Sequence, residues 1–252
     1  MNNFARGTPR NRLTTRYRTP ALAISVLCFW LMNCAPLAWA DGMIPETSVV
    51  IVDEARGEAS IKVTNSDSSA ALLHVSLEHI PEDQVPRVFV TPPVSRVEPG
   101  QTQLVRFILD TEQPLLTQRL KRVIFEGIEQ QTAKGGAVIG INVRQNLPVI
   151  LHPKGLARNG EPWLGLEWAL EDGHLRVRNP TPYVVRLAQE LRLKPSKTGL
   201  LLPRTYVLPG DDLRLKVPAS VALADTHVRL QPATVYGFAV DALDAPLLDT
   251  PR

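Results

Sequence analysis

The stretch AVIGINVRQNLPVILHP, residues 137–153, decides how this chain is interpreted. Large apolar side chains recur there at Ile139, Ile141 and Val143, with a glycine and an asparagine between them. This period of two predicts a long β-strand that presents one apolar face. Such a face either packs in the core of its own sandwich or is lent to another protein through a sheet edge. The periodicity by itself leaves both interpretations open.

Shorter strand-like segments precede this stretch, and turns rich in proline, glycine and asparagine separate them. The predicted strands are 48–53, 59–65, 71–79, 87–91, 102–109 and 119–129, followed by 137–151. About seven short strands in about 110 residues are typical of an immunoglobulin-like β-sandwich. We therefore predict a first all-β domain over residues 41–153.

A hinge and a second β-rich segment follow. The sequence HPKGL, residues 152–156, predicts the hinge, because proline restricts the backbone and glycine turns it. Further strands are predicted near 164–169, 174–178, 183–193, 204–208, 213–217, 228–230 and 234–240. The last residues, 242–252, are expected to fray. The predicted fold class is all-β, with a second immunoglobulin-like domain over residues 154–252 joined stiffly to the first.

The first 40 residues predict a cleavable signal peptide. Five arginines and no acid precede an apolar run that ends in Ala38-Trp39-Ala40, and small residues at these places fit a cut after Ala40. Asn33 and Pro36 interrupt the run, which disfavours a retained membrane anchor. A lipoprotein site at Cys34 is disfavoured because Asn33 lies where a very small residue is needed. We expect an exported chain without membrane insertion after cleavage.

The composition of the remaining 212 residues excludes several classes of function. Both cysteines, Cys28 and Cys34, lie in the leader, so the mature chain has neither disulfides nor a thiolate metal site. Five of the 28 basic residues also lie there, which leaves 23 basic against 25 acidic residues and gives no reason to expect nucleic-acid binding. We expect no cofactor and no metal.

Motifs of catalysis are missing from the sequence. It has no Gly-x-Ser-x-Gly elbow, no phosphate-binding glycine loop and no His-Glu-x-x-His. His74 and His79 are five residues apart on a predicted strand and therefore face opposite ways. Asp211 and Asp212 are adjacent, which favours a solvated turn over a catalytic pair. The sequence predicts that the chain is not an enzyme.

Several fragments, taken in order, resemble the periplasmic chaperones of the chaperone–usher pilus pathway, the PapD-like family. The fragments are FVTPP at 89–93, RVEPGQ at 96–101, LVRF at 104–107, residues 143–156, NPTPY at 179–183, LPG at 208–210 and YG at 236–237. Each fragment is weak alone, but the order and spacing extend over nearly the whole mature chain. The short linker at residues 130–136 resembles the short-loop branch of the family.

The resemblance implies a boomerang of two immunoglobulin-like domains in the periplasm of a Gram-negative cell. It implies that Ile139, Ile141 and Val143 are lent to a fimbrial subunit by donor-strand complementation, before an outer-membrane usher receives the subunit. It also implies a cis peptide bond before Pro92. An exposed donor edge further favours weak self-association of the free chain.

The chain departs from the family where the subunit's terminal carboxylate is usually anchored. The family has an arginine on the first strand and a lysine on the donor strand, where this chain has Ser48 and Pro148. By resemblance to divergent branches, Arg144 is the candidate anchor, with a guanidinium fork that suits a carboxylate. A solvated charge is the alternative for Arg144. Lys62 and Lys154 are the next candidates.

Two classes of function stay open on the residues. The first is the assembly chaperone, and the second is an exported structural or adhesive β-sandwich subunit of a surface assembly. Such a subunit would need a donor extension at its N-terminus, and only residues 41–47 precede the first predicted strand. A carbohydrate-active sandwich enzyme would need paired acids in a plausible site. The sequence favours the chaperone.

Overall fold

The computed structural model describes residues 42–129, 143–218, 225–234, 237 and 240–248. Almost all of the regular structure in these residues is β-strand. The strands are β1 (Met43–Pro45), β2 (Val50–Asp53), β3 (Glu58–Asn65), β4 (Ala71–Glu78), β5 (Val88–Thr91), β6 (Val94–Val97), β7 (Thr102–Leu109), β8 (Arg119–Glu129), β9 (Arg144–His152), β10 (Glu167–Glu171), β11 (His174–Arg178), β12 (Val185–Leu187), β13 (Glu190–Lys194), β14 (Gly199–Leu201), β15 (Tyr206–Val207), β16 (Asp212–Lys216), β17 (His227–Leu230), β18 (Pro232–Ala233) and β19 (Leu243–Pro246). A short 3-10 helix, Pro162–Gly165, precedes β10.

The first β-domain contains β1 to β9 in one continuous hydrogen-bonded path. Its strand order is β5-β7-β3-β2-β9-β8-β4-β6, and β1 pairs with β3. All neighbours are antiparallel except β2 and β9, which run parallel from Val50↔Val149 to Asp53↔His152. Because β2 meets β3 only at Asp53↔Glu58, it links two sheets that pack face to face.

Alternating side chains of these strands fill the first core. On β3 and β7, Ile61, Val63, Val105 and Phe107 are at most 2% exposed. On the facing strands the buried set is Leu73, Val75, Val123, Phe125, Val149 and Leu151. The intervening residues on β3 and β7 are exposed, as expected for strands that bury one face. This core provides the burial that a domain without cysteine residues requires.

The second β-domain is built from three smaller sheets. Their orders are β10-β11-β16, β15-β12-β18 and β14-β13-β17-β19. Their shared core is centred on Trp168, which is 1% exposed, and on leucines and valines from all three sheets. The prediction of an all-β chain with two sandwich-like domains is confirmed, and so is the cis bond between Thr91 and Pro92.

The structure corrects several predicted strands. Residues 183–193 form two strands, β12 and β13, because Ala188 and Gln189 hydrogen-bond to Gln231 and Leu202 instead of continuing one ladder. Strands β1, β6, β14 and β18 lay outside the predicted set. The predicted fraying of residues 242–252 is wrong for β19, which pairs with β17 from Leu230↔Leu243 to His227↔Pro246. The predicted signal peptide, and residues 137–142 of the long strand, lie outside the described residues.

Candidate functional site

Strand β9 divides into two halves that differ in burial. From Pro148 to His152 every residue is buried, whereas Arg144 and Asn146 are exposed. The buried half has neighbours on both sides, because β8 pairs with residues 144–151 and β2 pairs with residues 149–152. The half that leads back toward residue 143 has β8 on one side only, and among the described residues no strand covers its other side.

The open edge arises from the path of the chain between β1 and β2. Strand β1 pairs with β3 in one sheet, while β2 pairs with β9 in the other, so residues 46–49 cross between the sheets. This crossing leaves a groove of about 440 Å³ beside β9. The groove is lined by Pro45, Glu46, Thr47, Ser48, Val49, Gln145 and Leu147. An extended segment could hydrogen-bond to the unpaired backbone there.

Of the three predicted donor residues, only Val143 lies within the described residues. Its side chain is 45% exposed, which is high for a large apolar residue next to a sheet. Ile139 and Ile141 lie outside the described residues. Val143 shares its strand face with Gln145 and Leu147, two of the groove residues. The apolar face predicted from the sequence therefore continues into the groove.

Arg144 lies on the opposite strand face and is paired with Glu126. Its Nε donates to Glu126 Oε1 at 2.9 Å, and Nδ1 of His74 lies 3.7 Å from the other carboxylate oxygen. The Arg144 hydrogen bond is the main cause that lowers the pKa of Glu126, although burial opposes it. The Glu126 carboxylate in turn raises the pKa of Arg144. The guanidinium is thus exposed and held by one carboxylate.

The other residues considered for the carboxylate anchor lie in four different environments. Ser48 lines the groove and lies so close to Gly237 that a methyl group there would overlap its hydroxyl. Pro148 is buried on β9 opposite Arg122. Lys62 is exposed on β3, and Lys154 is exposed in the hinge, where its backbone N–H donates to Glu54 at 2.7 Å.

A buried amide at Gln118 connects the two β-domains, which the sequence analysis missed. Its Oε1 accepts the N–H of Val184 at 2.9 Å, and its Nε2 lies 3.0 Å from Nδ1 of His152. Because the Gln118 amide nitrogen donates, Nδ1 of His152 accepts, and Nε2–H of the imidazole donates to the Leu156 carbonyl at 2.9 Å. This chain of hydrogen bonds extends from the second domain through the end of β9 into the hinge.

Apolar and charged contacts surround that amide. Six buried side chains from both domains form one cluster: Val49, Ile80, Leu120, Ile150, Val184 and Tyr206. Arg204 of the second domain forms ion pairs with Glu82 of the first domain and with Asp211. The Tyr206 hydroxyl donates to Glu82 at 2.9 Å, and burial together with this bond raises the pKa of Tyr206 to about 12. These contacts hold the domains together beside the buried half of β9.

The NPTPY turn is structural. Asn179 is 1% exposed, and its side-chain nitrogen donates to the carbonyls of Tyr183 and Val207. Its side-chain oxygen accepts from Thr181. The Tyr183 hydroxyl donates to the Ala157 carbonyl at 2.8 Å, which fixes the segment after the hinge.

The described residues show neither a metal-binding arrangement nor a candidate membrane helix. No group of three or more histidine, cysteine, aspartate or glutamate side chains lies close enough there to hold a metal ion. In the same residues no helix is both long and apolar enough to cross a bilayer. The geometry shows a strand edge paired on one side only, beside a groove, and a domain junction with hydrogen bonds and apolar contacts.

Sequence comparisons identify the family. Residues 42–157 match the family model for the pili and flagellar-assembly chaperone PapD N-terminal domain, and residues 162–242 match the PapD C-terminal domain of pili assembly chaperones. The "Uncharacterized fimbrial chaperone YhcA" of Escherichia coli K12 is 42% identical over 79% of this chain and 88% of its own length. "Chaperone protein FimB/FhaD" of Bordetella pertussis is 31% identical over 74% and 82%.

Solved structures agree on the fold. A chain from the complex of Salmonella enterica SafA pilin with the SafB chaperone matches with a TM-score of 0.67 at 20% identity, over 83% of this chain and 98% of that one. The E. coli chaperone DraB matches with a TM-score of 0.66 at 18% identity, over 82% and 99%. A chaperone family is not an enzyme class. The matches also favour an assembly chaperone over a structural or adhesive subunit of a surface assembly. The chain belongs to the PapD-like family of pilus-assembly chaperones.

Proposed function

We propose that this chaperone binds fimbrial subunits along the open edge of β9 and supplies residues 139–143 as a donor strand. One observation carries the proposal: residues 144–148 are paired on one side only, beside a groove of about 440 Å³. A subunit segment added there would gain backbone hydrogen bonds, and alternate apolar side chains would set its register. If Ile139, Ile141 and Val143 become buried, each contributes about 1.5–3 kcal/mol.

Export of the chain and delivery of its subunits are part of the same proposal. After cleavage behind Ala40, the chain acts in the periplasm and passes its subunits to an outer-membrane usher. The domain limits 41–153 and 154–252 stay part of the proposal; the family matches cover residues 42–157 and 162–242. Self-pairing of the free edge into weak dimers is also expected. N-terminal sequencing of the periplasmic protein would test the cut.

Arg144 remains a proposed partner for the subunit's terminal carboxylate. Only its Nε is hydrogen-bonded to Glu126, and the planar guanidinium has further N–H groups. Its position beside the open edge and its exposure support the proposal. The competing carboxylate of Glu126 weighs against it, because a subunit would have to share or displace that partner.

Capture from the periplasm tests the binding edge. Tagged wild-type chain should co-purify with fimbrial subunits that mass spectrometry can identify. The Val143→Asp variant should co-purify with much less fimbrial subunit, because an unpaired carboxylate would enter an apolar contact. Leu116→Asp is the matched control, since Leu116 is 89% exposed and lies off this edge. Equal capture by the two variants would contradict the proposed edge.

A further inference from the structure

His152 is the last residue of β9, where the first β-domain meets the hinge, and it is 5% exposed. Both of its ring nitrogens make hydrogen bonds. Nδ1 is 3.0 Å from Nε2 of Gln118, and Nε2 is 2.9 Å from the carbonyl oxygen of Leu156. The other end of the Gln118 amide accepts the N–H of Val184 in the second domain. One buried amide therefore connects the imidazole to the second domain.

The partners of this ring determine its protonation state. A backbone N–H only donates, so the amide atom 2.9 Å from Val184 is the oxygen, and the amide nitrogen of Gln118 faces His152. An amide nitrogen also only donates, so Nδ1 must offer a lone pair. The Leu156 carbonyl only accepts, so Nε2 carries the proton. The network accepts the neutral imidazole in one tautomer and has no acceptor for a second ring proton.

A protonated ring would break the hydrogen-bonded connection between the domains. A proton on Nδ1 would point at the amide nitrogen of Gln118, which is also a donor. Turning the amide around would bring its oxygen to His152, but its nitrogen would then face the N–H of Val184. Either arrangement leaves a buried donor without an acceptor, because all three residues are at most 5% exposed.

The acidic groups around His152 are engaged by other partners. The ionisable residues on the neighbouring elements are Asp53, Glu54, Arg119, Lys154, Arg158 and Tyr183. Asp53 pairs with Arg158 at 3.4 Å, and Glu54 accepts two backbone N–H groups. In the part of the chain that the structure describes, hydrogen-bond roles and not an ion pair therefore determine the state of the ring.

Solvent approaches the ring from one side. A small cleft beside β9 is lined by Ile51, Gln118, Ile150, His152, Arg158, Asn159 and Gly160. A proton can reach His152 through this cleft without unfolding of the domain. Histidine is the side chain whose charge ordinarily changes between about pH 5 and about pH 8.

We propose that His152, Gln118 and Val184 form a pH-sensitive link between the two β-domains, which is closed when His152 is neutral and opens when it is protonated. Histidine in an unfolded chain takes up a proton at about pH 6.5, whereas the closed link excludes that proton, so the junction should lose stability as the pH falls through this range. Because the junction packs against the buried half of β9, opening the link loosens the second domain beside the open edge. This inference goes beyond subunit binding and is measured without a subunit.

His152→Asn is the main test. The asparagine oxygen can replace Nδ1 as an acceptor for Gln118, but the side chain does not titrate. From about pH 7.5 to about pH 5.5, the melting temperature of the wild type should fall by about 2–4 °C more than that of the variant, the shift for one lost hydrogen bond in a chain of this size. His174→Asn is the control, because the hydrogen bond of that histidine is exposed, and it should follow the wild type. A constant difference between the wild type and His152→Asn would overturn the link.

Gln118→Glu should reverse the dependence on pH. A carboxylate at this position accepts from Val184 and also from a protonated His152, so the variant should gain stability relative to the wild type as the pH falls. Gln103→Glu adds the same charge at an exposed amide and should follow the wild type. Parallel profiles for Gln118→Glu and the wild type would overturn the link.

Nuclear magnetic resonance tests the link in the wild type, where no variant has to fold. At neutral pH the imidazole nitrogen signals of His152 should be those of the tautomer protonated at Nε2. The hydrogen-exchange protection factor of the Val184 amide should fall in acid, while that of Leu193, bonded at 2.9 Å to Thr198 within the second domain, should stay constant. The opposite tautomer, or equal changes at Val184 and Leu193, would overturn the proposal.

Discussion

The two halves of β9 show how one strand can form part of the core and also provide the edge that we propose for subunit binding. Residues 148–152 are all buried, and residues 149–151 pair with both β2 and β8, next to the amide of Gln118. Residues 144–147 have one neighbouring strand and alternate between exposed and half-buried side chains. The same period-two pattern thus continues from a core into an open edge. Pairing on both sides, and not apolar character, decides which half is structural.

The largest expected effect is on the buried half. Val149 is 0% exposed and pairs with Val50 on one side and Lys121 on the other. Val149→Asp would bury an unpaired carboxylate and should cost about 4 kcal/mol or more. A thermal melt should show loss of the cooperative transition of the first domain. A native-like melt would show that the buried half of β9 does not belong to the core, which would contradict the contrast between the two halves of the strand.

A smaller effect is expected at the domain junction. Gln118→Ala leaves the N–H of Val184 and the Nδ1 of His152 without their partner, which should cost about 1–3 kcal/mol. The melting temperature should fall by about 2–4 °C for each kcal/mol. Gln103→Ala is the control, because that amide makes an exposed bond to Leu104 and should change the melt little. Equal changes in melting temperature for the two variants would show that the Gln118 amide does not stabilise the domain junction.

The smallest effect concerns the ion pair on the open half. The pKa of Glu126 in the folded protein is below its ordinary value of 4.5. The ionised Glu126 carboxylate therefore stabilises the fold at pH values above 4.5, and this stabilisation is lost as the pH falls through the folded pKa. Arg144→Gln removes the main cause of the shift, so this variant should be less stable than the wild type near neutral pH and should lose less stability as the pH falls below 4.5. Melting temperature against pH for both chains measures this. Coincident profiles would show that Arg144 does not hold Glu126 in solution.

Much of the fold follows from the sequence because alternation is local. Strands β3, β4 and β7 bury every second residue, and the predicted segments match them to within one residue. The hinge follows from Pro153 and Gly155. The sequence predicts one strand where β12 and β13 lie, because Ala188 and Gln189 are not typical turn residues. It does not predict β19, because that strand is stabilised by pairing with β17.

The site was less predictable, because its contacts join residues distant in sequence. Glu126 is 18 residues from Arg144, and Gln118 is 66 residues from Val184. Neither partner has a motif, and a charge or amide on a strand is solvated by default. The resemblance to the family indicated the donor face.

Ile141→Asp tests the central claim most directly, that the edge before Arg144 is lent to a subunit. The purified variant should melt within a few degrees of the wild type and fail to capture the fimbrial subunit. Its melt should differ sharply from that of Val149→Asp, eight residues further along. Loss of capture with an intact melt is the predicted result. A collapsed melt would place Ile141 in the core, and normal capture would show that strand donation does not require it; either result contradicts the account.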